Sequence, residues 1–151
     1  MIQIHRLTSE HSDFKSLVTL LDADLNARNG IVQAQYDVYN KIDHINTVVV
    51  AYLNEIPVGC GCYKPFDHET IEIKRMFVKP ENRGLGISKM ILAELEKWAV
   101  ESGYKKAILE TGSKQHEAIQ LYHKVGYKEI DNYGQYAGNS FSICMSKNLK
   151  G

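Results

Sequence analysis

The chain has no charge excess, with 18 Lys+Arg against 18 Asp+Glu in 151 residues. A neutral chain lacks the cationic field that non-specific nucleic-acid binders use, so no nucleic-acid partner is expected. It has no run of about 18 apolar residues, so no transmembrane helix is expected. Residues 1–7, MIQIHRL, alternate polar and apolar and contain no signal-peptide apolar stretch. No membrane partner is therefore expected, and the cytoplasm is the expected compartment. Three cysteines are too few, and odd in number, for a disulfide framework. Cys60-Gly61-Cys62 with a distant Cys144 lacks the second clustered pair of a zinc site, so no metal is expected. Two cysteines two apart in an apolar strand instead face one packed surface. The three prolines, Pro57, Pro65 and Pro80, fall where strands would begin or end. There is no long linker, repeat or low-complexity segment, so residues 1–151 are read as a single domain, long enough to bury a core.

What is present is periodic. Residues 1–7 read as a strand by their period of two. Ser9 or Ser12 can cap a helix carrying Phe14, Leu17, Val18, Leu21 and Leu25 on one stripe, stopped at Asn29-Gly30. A second helical stretch, about 33–41, carries Tyr36 and Tyr39. The β-rich runs 47–53 and 58–63 flank Asn54-Glu55-Ile56-Pro57 and read as a hairpin. Residues 69–78 form a further strand. From Gly84 the period becomes helical through Ile87, Met90, Ile91, Leu95, Trp98 and Ala99, ending at Gly103. A strand at 106–111, a helix at 115–125 and strands at 127–130 and 140–145 complete the chain. This order mixes an antiparallel meander with one β-α-β crossover, so the class is α+β with a mixed sheet.

The most informative segment is Phe77-Val78-Lys79-Pro80-Glu81-Asn82-Arg83-Gly84-Leu85-Gly86-Ile87-Ser88. A strand enters a loop with two glycines and passes directly into a long helix. Glycines allow backbone N–H groups to approach a ligand closely, and the helix N-terminus adds unpaired donors and partial positive charge. Together these suit a phosphate or pyrophosphate, with Arg83 at the mouth. The loop is not G-x-x-x-x-G-K-[ST], and no repeated parallel β-α-β array surrounds it. A P-loop and a dinucleotide fold are both disfavoured.

Arg83-Gly84-Leu85-Gly86-Ile87-Ser88 resembles the acyl-CoA loop of the GNAT N-acetyltransferases, [QR]-x-x-G-x-[GA], with Ser88 departing at the last position. Glu72-Ile73-Lys74-Arg75-Met76-Phe77-Val78 before the loop, and Ala118-x-x-x-Tyr122-x-x-x-Gly126-Tyr127 after it, look like two further hallmarks of that family. The resemblance implies a mixed, mostly antiparallel sheet of about seven strands flanked by about four helices. A V-shaped splay is implied between the fourth and fifth strands. Acetyl-CoA is the implied cofactor. Its pyrophosphate would meet the amides of Arg83, Gly84, Leu85, Gly86, Ile87, Ser88 and Lys89, and its pantetheine arm the backbone of Met76, Phe77 and Val78. The broken alternation along 71–78 is itself compatible with a bulge, or with a strand buried on both faces.

Attack of an amine on a thioester needs a base or a water path, oxyanion donors, and an acid for the thiolate. The resemblance assigns the acid to Tyr122; read alone, a tyrosine on an apolar helix face is core packing. Glu72 is the candidate base, against an ion pair with Lys74 or Arg75; Glu110 or a water chain are the alternatives. The resemblance puts the oxyanion donor, a backbone N–H, near Met76–Phe77. Asp24, Tyr36, Glu72, Glu110 and Tyr136 are the candidate acceptor-binding residues. The expected activity is acetyl transfer to a primary amine of a small molecule or amino acid. A protein or peptide acceptor (N-terminus or lysine) is the alternative within the class, and a non-catalytic acyl-CoA-binding module the alternative outside it. A homodimer is left open. Charge is also uneven along the chain: residues 74–89 carry Lys74, Arg75, Lys79, Arg83 and Lys89 against Glu81 alone, whereas residues 10–43 are mildly acidic. That pattern reads as a basic rim for phosphates and an acidic side for a cationic acceptor.

Overall fold

The structure, a computed structural model, describes residues 1–29 and 44–150, with only the backbone of 25–29. The expected helix at 33–41, with Tyr36 and Tyr39, lies outside the described residues. Within them the order is β1 (Ile2–Leu7), α1 (Ser12–Asn29), β2 (Val48–Leu53), β3 (Ile56–Pro65), β4 (Thr70–Val78), a 3₁₀ turn (Pro80–Asn82) and α2 (Ile87–Glu101). Then follow β5 (Lys106–Gly112), α3 (His116–Lys124), β6 (Lys128–Ile130), a second 3₁₀ turn (Gly134–Tyr136) and β7 (Ser142–Asn148).

The seven strands form one sheet in the order β1-β2-β3-β4-β5-β7-β6. β1/β2, β2/β3, β5/β7 and β6/β7 are antiparallel; β4/β5 is parallel, joined by the crossover through α2. The β4/β5 pairing runs only from Thr70↔Lys106 to Ile73↔Leu109, although β4 continues to Val78 and β5 to Gly112. This is the V-shaped splay implied by the resemblance. The β2–β3 hairpin is tighter than the sequence suggested. Only Asn54 (φ 51°) and Glu55 (φ 70°) form the turn, and both take the left-handed conformation of a two-residue hairpin turn. Ile56 and Pro57 already belong to β3, and Pro57 sits beside a register shift where a missing N–H is tolerated.

Two compact units arise, residues 1–64 with 74–95 and residues 65–73 with 96–151. In the first, one side of β3 supplies Cys60 and Cys62 to a core with Phe14, Leu17, Leu21, Ile45, Val48, Val50 and Phe77. The shared packed surface expected of the two cysteines is present. Gly59 and Gly61 alternate with them. A Cβ on Gly59 would lie 3.0 Å from the Phe77 carbonyl oxygen and 3.1 Å from Ile91; one on Gly61 would lie 3.1 Å from Leu95. Helix α2 thus rests almost directly on the β3 backbone, a closeness only glycine permits. Met90 does not join the buried stripe of α2 as expected, being 38% exposed, and Leu92 does instead. At 3.6 residues per turn Met90 lies about 140° from the middle of the stripe formed by Ile87, Ile91, Leu92, Leu95 and Ala99.

The second unit buries Ala107, Ile108, Leu109, Tyr127, Cys144 and Met145. A polar network closes it: the Tyr127 hydroxyl donates to Glu96 at 2.9 Å, and Lys147 pairs with the other Glu96 oxygen at 2.8 Å. Burial and the Glu96 carboxylate keep the Tyr127 phenol protonated.

Candidate active site

In the first unit, β4 bends at Arg75, a non-glycine residue with φ +59° inside a strand. Arg75 falls within the span 71–78 whose broken alternation is compatible with a bulge. Met76 is half-buried, and Phe77 and Val78 are buried. After the 3₁₀ turn come Gly84 (φ +86°) and Gly86 (φ +79°), where a Cβ would meet nothing within 4 Å. Both glycines are thus required by backbone conformation, and the space over the loop is open. The first helical bond of α2 runs from Met90 N–H to Gly86 C=O at 3.2 Å. The N–H groups of Ile87, Ser88 and Lys89 precede it and have no intrahelical acceptor. Ile87 is buried and anchors the turn, Ser88 is half-buried, and Leu85 and Lys89 are exposed. Open backbone, unused donors and the positive end of a helix fit an anionic group.

Arg83 is held back against its own strand. Its Nε donates to the Val78 carbonyl at 2.9 Å, its guanidinium stands 5.8 Å from the Phe77 ring centre, and Nη2 lies 3.6 Å from Asp24. Asp24, expected on the acceptor side, thus faces the loop arginine. Asp22, two residues earlier in α1, pairs with Arg75 Nη1 at 2.5 Å.

In the second unit Glu72 is 4% exposed. Its partner is neither Lys74 nor Arg75: the Tyr133 hydroxyl donates to Oε2 at 2.8 Å. Tyr133 lies in the β6–β7 loop, edge-on to Phe66 (5.4 Å) and to Tyr136 (5.6 Å). Asn132 fastens that loop by donating to the carbonyls of Asn139 (2.8 Å) and Ser142 (3.1 Å). Glu110 faces Cys144 across the β5/β7 ladder. Burial first, then the carboxylates of Glu110 and Glu72, raise the Tyr136 phenol. Burial also pushes the Cys144 thiol up to about 11, with both carboxylates adding to the rise and a Tyr133 backbone hydrogen bond opposing it. Tyr122, 6% exposed and edge-on to Tyr127 at 5.8 Å, is raised by burial and then by Glu110. Two carboxylates, Tyr122, Tyr133, Tyr136 and Cys144 therefore share one electrostatic neighbourhood.

Of the residues singled out from sequence, Glu72, Glu110, Tyr122 and Tyr136 are gathered in this cluster. Met76 to Val78 and Arg83 to Lys89 form the strand-and-loop region of the other unit, and Tyr36 lies outside the described residues. Tyr133, in the same loop as Tyr136, is not among the residues singled out above. Its link to Glu72 spans 61 residues and leaves no local signature.

The profile of the acetyltransferase (GNAT) family matches residues 14–127. An IAA acetyltransferase of Azospirillum brasilense is 37% identical over 103 residues, 67% of this chain and 67% of its own length. An uncharacterized N-acetyltransferase of Escherichia coli is 34% identical over 99 residues, 64% of this chain and 58% of its own. The chain spans from about a third to two thirds of the length of the curated relatives it matches. Among solved structures, a Klebsiella pneumoniae protein provisionally described as an acyl-CoA N-acyltransferase superposes with TM-score 0.83 at 26% identity, covering 99% of both chains. A GNAT family acetyltransferase of Elizabethkingia anophelis, with acetyl-CoA bound, gives TM-score 0.71 at 24% identity over 98% of both. The glycine loop, the splayed β4/β5 pair and a family match covering most of the chain agree: the chain belongs to the acetyltransferase (GNAT) family, whose members are acyl-transferring enzymes.

Proposed function

We propose that the protein transfers an acetyl group from acetyl-CoA to the primary amine of a small molecule or amino acid. The observation that carries this reading is the buried Glu72 carboxylate, one oxygen held by Tyr133, grouped with Glu110, Tyr122 and Tyr136. Bound acetyl-CoA supplies an acetyl group activated as a thioester. The loop 83–89 fits its pyrophosphate through backbone N–H groups, and the Met76 to Val78 backbone fits its pantetheine arm. Glu72 takes the proton of the incoming ammonium, directly or through water, with Oε2 fixed by Tyr133. Glu110 offers a second acidic group for a cationic acceptor, with Tyr136 as an apolar and π wall. A backbone N–H of the β4 bulge, at Met76 or Phe77, meets the negative charge that gathers on the carbonyl oxygen. Tyr122 stays protonated across the working pH range, because burial and Glu110 disfavour its phenolate, and donates to the departing sulfur.

The near-complete burial of Glu72, bonded by Tyr133 of the β6–β7 loop, and of Tyr136 within that loop supports a small acceptor over a peptide. A pure binder would need neither Glu72 nor Tyr122. The test is thiol release from acetyl-CoA across a panel of small amines, amino acids and peptides, beside the melting temperature with acetyl-CoA. Small primary amines are expected to be turned over. Turnover of peptides alone moves the acceptor class. A melting rise without turnover of any amine makes the protein a binding module.

A further inference from the structure

The strained residue of β4 is not isolated. Arg75 keeps φ +59° in mid-strand, a conformation disfavoured for every side chain-bearing residue. Such a backbone persists only where its surroundings over-determine it, and three contacts do so here. The Arg75 guanidinium, with its side chain only 9% exposed, reaches Asp22 of α1 at 2.5 Å. The Cys60 thiol donates to the Arg75 carbonyl at 3.5 Å, and the Cys62 thiol to the Lys74 carbonyl at 3.4 Å. Burial, reinforced by Cys62, keeps the Cys60 thiol protonated and so able to donate. At a bulge the ladder is locally disrupted, so carbonyls there gain from donors other than the next strand. The Cys-x-Cys pair thus sits directly behind the bend, and the buried cation locks it from the helix side.

We propose that Asp22, acting through Arg75, is the positioning residue that aims the β4 backbone N–H at Met76–Phe77 toward the acyl carbonyl, with the thiols of Cys60 and Cys62 as its second hold. The inference rests on the reading that this N–H is the oxyanion donor. Without the ion pair, Arg75 relaxes toward extended φ, which every L-residue prefers, and the N–H that follows turns away. Cys60 and Cys62 then act as a backbone clamp, a role that neither metal nor redox chemistry requires. Glycine is indifferent to the sign of φ, which gives the proposal a specific rescue.

The experiment is isotope-edited infrared spectroscopy of acetyl-CoA carrying 13C at the thioester carbonyl, bound to the full chain. It needs no knowledge of the acceptor. A hydrogen bond from the bulge moves the carbonyl stretch below that of free acetyl-CoA. Asp22→Ala is expected to bring the band back toward the free position while acetyl-CoA still raises the melting temperature. Adding Arg75→Gly to Asp22→Ala is expected to restore the lower frequency. Cys60→Ala and Cys62→Ala are each expected to cause a smaller part of the same loss. An unchanged band in Asp22→Ala overturns the proposal and leaves the oxyanion reading standing. So does a folded double variant whose band stays at the free position. A wild-type band at the free position overturns the oxyanion reading and the proposal with it.

Discussion

The glycine loop after β4 and the carboxylate–tyrosine cluster handle charge in opposite ways. Around the loop, formal charges are tied to one another: Arg83 to Asp24 and to the Val78 carbonyl, Arg75 to Asp22. What remains for a ligand is backbone, namely glycine conformations with open space above them and the first N–H groups of α2. In the cluster it is side chains to which the proposed mechanism gives the chemistry. Glu72 is buried with one oxygen bonded, and the phenols around it are held protonated. In the proposed mechanism an anion is thus met by main chain, which is insensitive to most side-chain changes, and proton transfer by side chains, whose identity matters. Two residues of the basic rim, Arg75 and Arg83, pair with two of the acidic segment, Asp22 and Asp24.

The sharpest way to break this contrast is at Glu72. Glu72→Gln keeps the shape and the Tyr133 contact but removes the base. It should lower kcat/KM by roughly 10²- to 10⁴-fold, the usual range for a general base, with the acetyl-CoA Kd nearly unmoved. A Kd that rises in step would merge the two regions into one binding site. Next, Tyr133→Phe removes a hydrogen bond to a buried carboxylate, worth about 1.5–3 kcal/mol, or roughly 10- to 100-fold in kcat/KM. Steady-state rates that stay within twofold would show that Glu72 holds its place unaided. In the loop the expectation reverses. Gly86→Ala forces a side chain to φ +79° at a cost of about 1–2 kcal/mol and should weaken the acetyl-CoA Kd by roughly 5- to 30-fold, more than it changes kcat. Lys89→Ala, at an exposed side chain in the same loop, should change Kd by less than the glycine substitution; titration calorimetry of the pair compares backbone with side chain directly.

The smallest effect lies at the surface, where His44 hydrogen-bonds Glu10 at 3.1 Å. Glu10 and then Asn46 raise the His44 pKa, and His44 and then Lys15 lower that of Glu10. The raised His44 contributes stability in full below its ordinary 6.5, lost as pH rises through its folded value. The lowered Glu10 contributes above its ordinary 4.5, lost as pH falls through its folded value. Glu10→Gln should therefore lower the melting temperature most between about pH 4.5 and 6.5, and the gap to wild type should narrow on either side. A gap that is flat across pH would remove the pair from the stability account.

Local signals carried far along this chain. The hairpin, the crossover helix and the glycine loop were legible because each depends on residues adjacent in sequence. Asn54-Glu55 accepts left-handed backbone, the stripe from Ile87 to Ala99 follows one helical period, and Gly84 and Gly86 answer to φ alone. Within α2 the helical period itself leaves Met90 outside the buried stripe and brings Leu92 into it. Gly59 and Gly61 carry no local signal of their role, because only the height of α2 over β3 shows what their missing Cβ atoms are for.

By itself, then, the sequence determined the order of the described elements, the family's loop, and the carboxylate and tyrosine to which the proposed mechanism gives its proton transfers. Tertiary structure alone decided who their partners are. Tyr133 reaches Glu72 across 61 residues of chain and Arg75 reaches Asp22 across 53. No local period encodes such pairs. They form because sheet register brings distant polar groups together, and because Glu72 and the Arg75 guanidinium are buried where water reaches them poorly.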